Sequence, residues 1–181
     1  DPDDPAWLRG TTERVLSSLR HYADPAFGVD LFKLQAPFDP HRVREVAAGA
    51  LDGTARDPLW TLAEADAALR EMDALSPVPW VVLSAGVGPR AFAFVVERAV
   101  AAGASGFLAG RALWLSALDA WPDRDAVATA LRTRSVPLLR RLGAHVDEAR
   151  PWTAHRAYGP DGPHVADAGP AWARRYGAEA S

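Results

Sequence analysis

Cysteine is absent from the 181-residue chain, which excludes disulfide bonds, thiolate zinc sites and cysteine nucleophiles. No apolar run approaches the length of a membrane-spanning helix, and acidic and basic residues are interspersed without a basic block. Nucleic acids and membranes are therefore not expected as partners. The first five residues, DPDDP, are acidic and proline-rich, unlike a signal or transit peptide. We expect a cytoplasmic protein.

Lysine is nearly absent as well. The chain has twenty basic residues, of which nineteen are arginine and one, Lys33, is lysine. Either residue can serve as a solvated cation, but only lysine can lose its proton and attack a carbonyl group. The bias indicates that Lys33 stands where arginine cannot replace it.

Apolar runs alternate with amphipathic stretches along most of the chain. Three apolar runs, at residues 29–35, 79–83 and 105–109, predict parallel strands covered by helices, which makes the fold class α/β. Helices are predicted at residues 5–22, 39–51, 61–75, 110–118 and 123–146, the last interrupted at Pro137. A further helix carries Phe92 to Val100 on its apolar face and stops at Gly103. Three strands are too few for a closed sheet. The pattern alone leaves open whether this is a small open sheet or part of a larger barrel.

Lys33 lies in the middle of the first apolar run, VDLFKLQ, on the same face as Leu31 and Gln35. Burial disfavours an ammonium charge, so a lysine inside an apolar strand is more readily the neutral amine that iminium formation requires. We expect Lys33 to be buried and nucleophilic. The alternative interpretation is a surface lysine on an edge strand.

Two predicted strand-to-helix turns contain small residues. Ser84, Ala85 and Gly86 follow the second strand, and Gly110 and Arg111 follow the third. Small residues let backbone N–H groups approach a ligand, and the guanidinium group of Arg111 suits a phosphate. The two turns together predict a phosphate site, with a structural ion pair of Arg111 as the alternative. The five histidines show no ligand spacing, so we expect them at the surface and predict no catalytic metal.

Three blocks, VDLFKL, PWVVLSAGV and AGASGFLAGRALW, closely resemble the tagatose 1,6-bisphosphate aldolase family and its sulfofructose-phosphate aldolase relatives. The resemblance covers about residues 1–152 and implies strands six to eight of a (β/α)8, or TIM, barrel. It implies that Lys33 is the Schiff-base lysine and that both turns bind the substrate phosphate. The implied activity is that of a class I aldolase without cofactor, which cleaves a phosphorylated ketose to dihydroxyacetone phosphate and an aldehyde. We expect residues 153–181 to be an irregular tail, for which the resemblance offers no counterpart.

The chain departs from the family pattern in two ways. Gln35 stands where the family usually has glutamate, and Ala36 where an aromatic residue is common. Strands one to five are missing, with the acid/base glutamate and second lysine that the family carries there. A non-catalytic sugar-phosphate-binding protein and a lysine-dependent aldolase of deoxy-sugar phosphates therefore remain as alternatives. The expected partner is a small sugar phosphate, with homo-oligomer formation left open.

Strands without their barrel neighbours leave apolar side chains uncovered. We expect Leu31, Val82 and Phe107 to face the barrel interior and to be partly exposed in this chain. We therefore expect the isolated chain to be poorly soluble or to associate. Because the acid/base residues are missing, we also expect it to lack aldolase turnover.

Overall fold

The computed structural model describes residues 4–46 and 48–163, in which helices alternate with short strands. In chain order the helices and strands are α1 (Pro5–Arg9), α2 (Thr11–Tyr22), β1 (Phe32–Gln35), α3 (Leu62–Leu75), β2 (Trp80–Leu83), α4 (Pro89–Ala102), β3 (Phe107–Leu108), α5 (Arg111–Trp114), α6 (Arg124–Ala130) and α7 (Val136–Asp147). Within the described ranges no helix is long and apolar enough to cross a membrane.

The three strands form one parallel sheet in the order β1-β2-β3. α3 connects β1 to β2 and α4 connects β2 to β3, as parallel neighbours require. Phe32 lies opposite Trp80, and Val82 lies opposite Phe107. The predicted α/β class and the three parallel strands are confirmed. β1 begins later than predicted because its first ladder bond runs from the Phe32 N–H to the Pro79 carbonyl, just before β2 begins.

The two faces of the sheet differ in their cover. Phe32, Trp80 and Val82 share one face and are buried in a core to which α4 contributes most of its apolar side chains. The opposite face carries Lys33 and Leu108, which are both exposed. The helices of the described part of the chain therefore cover one side of the sheet and leave the other open.

The exposure predicted for Leu31, Val82 and Phe107 is wrong for Val82, and the predicted face is wrong for both Val82 and Phe107. Val82 is fully buried and Phe107 is half-buried, and both lie on the helix-covered face. Leu31, immediately before β1, is 44% exposed, as expected. The register explains the error, because Phe107 pairs with Val82, which points to the same side as Trp80 two residues earlier.

The helix predicted over residues 39–51 is wrong. The Asp39 carboxylate caps a turn as expected, but this 3₁₀ turn ends at Arg42. Val43 is extended and bridges to Trp60, whose N–H donates to the carbonyl of Arg42. Pairing with a segment distant in sequence thus replaces the local hydrogen bonds that a helix would have needed.

The other predicted helices occur close to the expected positions. α3 starts with the predicted capping box, in which the side chains of Thr61 and Glu64 each accept the other residue's backbone N–H. The first predicted helix is split at Gly10 into α1 and α2, and the helix after β3 continues beyond α5 as a 3₁₀ helix. The interruption near Pro137 is a π-helical segment, Leu131–Ser135, because proline offers no N–H to the preceding turn.

The chain after α7 contains two short 3₁₀ turns, Trp152–Ala154 and Arg156–Tyr158. Residues 164–181, most of the predicted irregular tail, lie outside the described residues. The division at residue 152 and the cytoplasmic location stay predictions.

Candidate active site

The carboxyl ends of the three parallel strands lie at one edge of the sheet, and both small-residue turns follow them there. Residues 84–86 leave β2, and residues 110–111 leave β3. A hydrogen bond of 3.1 Å from the Ser84 N–H to the Leu108 carbonyl joins the first turn to the last residue of β3. The structure therefore brings the two turns together.

The turn after β2 has a left-handed backbone. Ala85 has a φ of 48° and Gly86 a φ of 85°, and the Val87 N–H closes the turn by donating to the Ser84 carbonyl at 2.9 Å. This conformation costs a residue with a Cβ atom about 1–2 kcal/mol. The N–H groups of Ala85 and Gly86 have no acceptor among the described residues. Free N–H groups in such a turn are typical of an anion-binding concavity.

The guanidinium group of Arg111 lies against Gly86. A Cβ atom at Gly86 would be 3.3 Å from Nη2 and 3.6 Å from Cζ of Arg111, so glycine lets the cation approach the turn closely. Arg111 is exposed and has no ion pair or hydrogen-bond partner for its side chain within residues 4–46 and 48–163. A cavity of about 270 Å³ borders both residues, and Ser116 and Asp119 also line it. The described residues thus offer no support for a structural ion pair of Arg111.

Gly110 begins α5 with a φ of −123° and a ψ of −92°. Its carbonyl accepts hydrogen bonds from the N–H groups of Leu113 and Trp114. A Cβ atom at this position would be 3.6 Å from Nε1 of Trp114, which is an ordinary contact. Gly110 therefore contributes a backbone turn from which Arg111 extends, and packing alone does not require glycine there.

Lys33 is exposed, so the predicted burial is wrong for this chain. The reason is that β1 is an edge strand of the described sheet and that Lys33 points away from the face that carries the buried Phe32 and Trp80. This is the placement that the alternative interpretation expected. The amine has no ion pair or hydrogen bond with any described residue, and a cavity of about 310 Å³ borders Lys33. The amine is therefore accessible from solvent and from this cavity.

Comparison with known proteins places this geometry in a family. Residues 12–116, which include Lys33 and both turns, match the DeoC/LacD family aldolases. The chain belongs to this family. It is 28% identical over 158 residues to tagatose 1,6-diphosphate aldolase 2 of Streptococcus pyogenes serotype M3, and 29% identical over 158 residues to tagatose 1,6-diphosphate aldolase 1 of the same serotype. Each match covers 84% of this chain and 46% of the relative, so the chain spans just under half the length of these relatives. The resemblance inferred from the three sequence blocks is confirmed.

Gln35 lies between the lysine and the turn after β2 in this DeoC/LacD family chain. It lines the 310 Å³ cavity together with Lys33, and a second cavity of about 190 Å³ together with Ser84 and Ala85. Its side-chain amide has no hydrogen-bond partner among the described residues. A neutral amide therefore occupies the position where the resemblance leads us to expect a carboxylate.

A polar cluster beside this site of the DeoC/LacD family chain was missed by the sequence analysis. His41, expected as a surface residue, is partly buried between two carboxylates: Nδ1 lies 2.9 Å from Asp39 and Nε2 lies 3.5 Å from Asp52. Hydrogen bonds from Arg56 and from the Thr54 N–H lower the pKa of Asp52 to about 2, so this carboxylate is ionised at neutral pH. The sequence predicted a helix over residues 39–51, and the approach of Asp52 to His41 depends on the turns that replace this helix.

Proposed function

We propose that the protein is a class I aldolase in which Lys33 forms a Schiff base with a phosphorylated ketose related to tagatose 1,6-bisphosphate. One observation carries this proposal. The Lys33 amine, the Arg111 guanidinium group and the N–H groups of the turn after β2 lie near the same edge of the sheet, and none of them has a partner within the described ranges. An amine can attack a ketose carbonyl, and the donors can hold a phosphate. The names of the relatives, tagatose 1,6-diphosphate aldolases 1 and 2, support this substrate class.

The substrate's C1 phosphate would lie between Arg111 and the turn after β2. The guanidinium group would neutralise its charge, and the N–H groups of Ala85 and Gly86, with the Ser84 hydroxyl, would fix its orientation. The Gly110 backbone turn would keep Arg111 at this edge. A fixed phosphate also holds the adjacent C2 carbonyl in position, so that the carbonyl is oriented for attack by the amine.

The proposed reaction uses the Lys33 amine as nucleophile and, after iminium formation, as electron sink. The neutral amine attacks C2, and the carbinolamine takes up one proton from solvent and loses water to give the iminium ion; hydrolysis of the product iminium later returns this proton. A base takes the proton of the C4 hydroxyl, the C3–C4 bond breaks, and its electron pair moves into the iminium group to form an enamine. The aldehyde leaves, the enamine is protonated at C3, and water releases dihydroxyacetone phosphate and restores the amine. We place the base outside this chain.

We further propose that residues 1–152 are strands six to eight of a (β/α)8 barrel. The three parallel strands with alternating helices support this, and so does a chain that spans just under half the length of its relatives. Further strands would pair with the free edges of β1 and β3 and enclose the open face of the sheet. They would also exclude water from Lys33, and exclusion of water favours the neutral form of an amine.

Borohydride trapping tests the Schiff base. The full-length protein is incubated with dihydroxyacetone phosphate and reduced, and peptide mass spectrometry should find the adduct on the peptide that contains Lys33. Lys33→Arg should abolish the adduct, because an arginine forms no iminium ion. Lys33→Met, which keeps an unbranched side chain of similar reach, should also give no adduct and should retain the fold. An active enzyme whose Lys33 stays unmodified would refute the assignment.

Gln35 favours a second candidate function, a sugar-phosphate-binding protein without aldol chemistry. A neutral amide between Lys33 and the turn cannot take up a proton as a carboxylate can. Calorimetry separates the two candidates when it is combined with trapping. Binding of dihydroxyacetone phosphate that depends on Arg111, without any adduct on Lys33, would favour the binding protein.

A further inference from the structure

The carboxylate of Asp73, near the end of α3, contacts polar groups from the start of β2 and from the segment after α7. Its Oδ1 accepts from Nη2 of Arg150 at 2.9 Å and from Nε1 of Trp80 at 3.0 Å, and its Oδ2 lies 3.6 Å from Nη1 of Arg156. Arg150 also donates to the carbonyl of Gly103 at 3.0 Å. These contacts join the end of α3, the start of β2 and the end of α4, so they lie at the amino-terminal edge of the sheet.

The side chain of Arg156 caps the carboxyl end of α3. Its Nη2 donates to the backbone carbonyls of Asp73 at 2.7 Å, Ala74 at 3.2 Å and Ser76 at 2.5 Å. The last carbonyls of a helix have no partner inside the helix, so a guanidinium group that reaches them stabilises both the helix end and its own segment. Residues 150–158, which we call the tail clasp, are thereby attached to the base of the sheet.

His155 lies inside the tail clasp and is fully buried. Its Nδ1 accepts a hydrogen bond of 3.2 Å from the Ala157 N–H, and its Nε2 has no hydrogen-bond partner in the structure. Because Nδ1 is an acceptor, the ring of the closed clasp is neutral and carries its proton on Nε2. A second proton would have to bind at Nδ1, where it would displace the Ala157 N–H and break this turn.

The charges around His155 also oppose its protonation. Among the described residues, the charged groups that act on the ring are Arg150, Arg156 and Asp73, and Asp73 is already paired with both arginines. Burial, followed by the charges of Arg150 and Arg156, lowers the pKa of His155, and Asp73 opposes this shift in part. An imidazolium ion at this position would be a buried cation next to two others.

We propose that the tail clasp is released by acid: neutral His155 closes residues 150–158 onto the end of α3, and protonation of His155 opens them. The direction follows from proton linkage. A histidine in the opened segment takes up a proton near pH 6.5, before the buried ring does. The closed form is therefore fully stable above this pH and loses stability as the pH falls below it.

Hydrogen exchange of the full-length protein, measured by mass spectrometry at pH 7.5 and pH 5.0, tests the proposal. After correction for intrinsic rates, protection of residues 152–158 should fall by up to about thirtyfold, the limit set by a histidine that titrates at 6.5 in the opened segment, while that of α4 stays unchanged. His155→Asn should remove the pH dependence, because its Oδ1 can still accept the Ala157 N–H but cannot be protonated at these pH values. His21→Asn is the matched control, since His21 is exposed, and it should behave as the unchanged protein.

Two results would overturn the proposal. One is protection of residues 152–158 that is the same at both pH values in the unchanged protein. The other is an equal loss of protection at low pH in the His155→Asn protein. If that variant does not fold, ¹⁵N shifts of the His155 ring in the unchanged protein decide the matter. Protonation of the ring without any loss of protection would show that the clasp does not respond to it.

Discussion

Replacing Arg111 with alanine should weaken the binding of phosphorylated ligands and leave unphosphorylated analogues nearly unaffected. Arg111 lies against Gly86, and its guanidinium group is unpaired within the described part of the chain, so a bound phosphate would be its main partner. A hydrogen bond to a charged group contributes about 1.5–3 kcal/mol, which corresponds to about ten- to a hundredfold in affinity. Because the side chain is exposed and partly screened by water, we expect a loss near the lower end, about tenfold.

The assay compares dihydroxyacetone phosphate with dihydroxyacetone in the full-length protein. The concentration that gives half-maximal borohydride adduct on Lys33 is measured for both compounds. Arg90→Ala is the matched control, because Arg90 is also exposed, stands at the start of α4 near the same edge, and lines a different cavity. It removes one positive charge without touching the turn. Arg111→Lys should give an intermediate loss, since it keeps the charge but not the planar fork of donors.

Equal losses for the two compounds would refute this reasoning and would indicate that Arg111 maintains the fold. Thermal unfolding provides an independent check. Because Arg111 has no ion pair or hydrogen bond to lose within residues 4–46 and 48–163, the midpoint of unfolding should stay within a degree or two (roughly ±0.5 kcal/mol) of the unchanged protein. A larger decrease would mean that the alanine variant reports on stability rather than on phosphate binding.

Three further predictions concern stability and association. Gly103→Ala should reduce the free energy of unfolding by about 2–4 kcal/mol in urea titrations, because Gly103 has a φ of 121° and a Cβ atom would lie 2.6 Å from Cγ of Asp73. Thr61→Ala should reduce it by about 1 kcal/mol, since the α3 capping box is lost, and an unchanged midpoint would contradict this. The isolated 181-residue chain should associate through the open sheet face, next to the exposed Leu31 and Leu108, and Leu108→Lys should reduce this in size-exclusion chromatography. A chain that is monomeric at all concentrations would count against it.

The arrangement of strands and helices could largely be predicted because its signals are local. Apolar runs marked the three strands, and the Thr61 capping box marked the start of α3. The helix expected after Asp39 failed because its alternative, the bridge between Val43 and Trp60, joins positions that are distant in sequence. The face to which Val82 points could not be predicted either, since an apolar strand has no alternation that reveals its orientation.

In the candidate site, too, the features set by neighbouring residues could be predicted from the sequence, whereas those set by contacts between distant segments could not. The small residues of the two turns and the lone lysine were visible in sequence, but the approach of Arg111 to Gly86 depends on how β2 and β3 pair. The expected burial of Lys33 failed because β1 is an edge strand of the described sheet, and an apolar run does not reveal whether its strand is central or at an edge. The tail clasp had no signal in sequence, since Asp73 and Arg150 are 77 residues apart.

The charged groups that define the two edges of the sheet differ in their pairing. At the carboxyl edge, Lys33, Arg111 and the N–H groups of the turn after β2 have no partners within the described ranges. At the amino edge, the Asp73 carboxylate is paired with Arg150, and Arg156 satisfies carbonyls at the end of α3. Unpaired polar groups add little stability and are available to a ligand, whereas paired groups stabilise the fold and are not. Substitutions at the carboxyl edge should therefore alter binding before stability, and those at the amino edge should alter stability before binding.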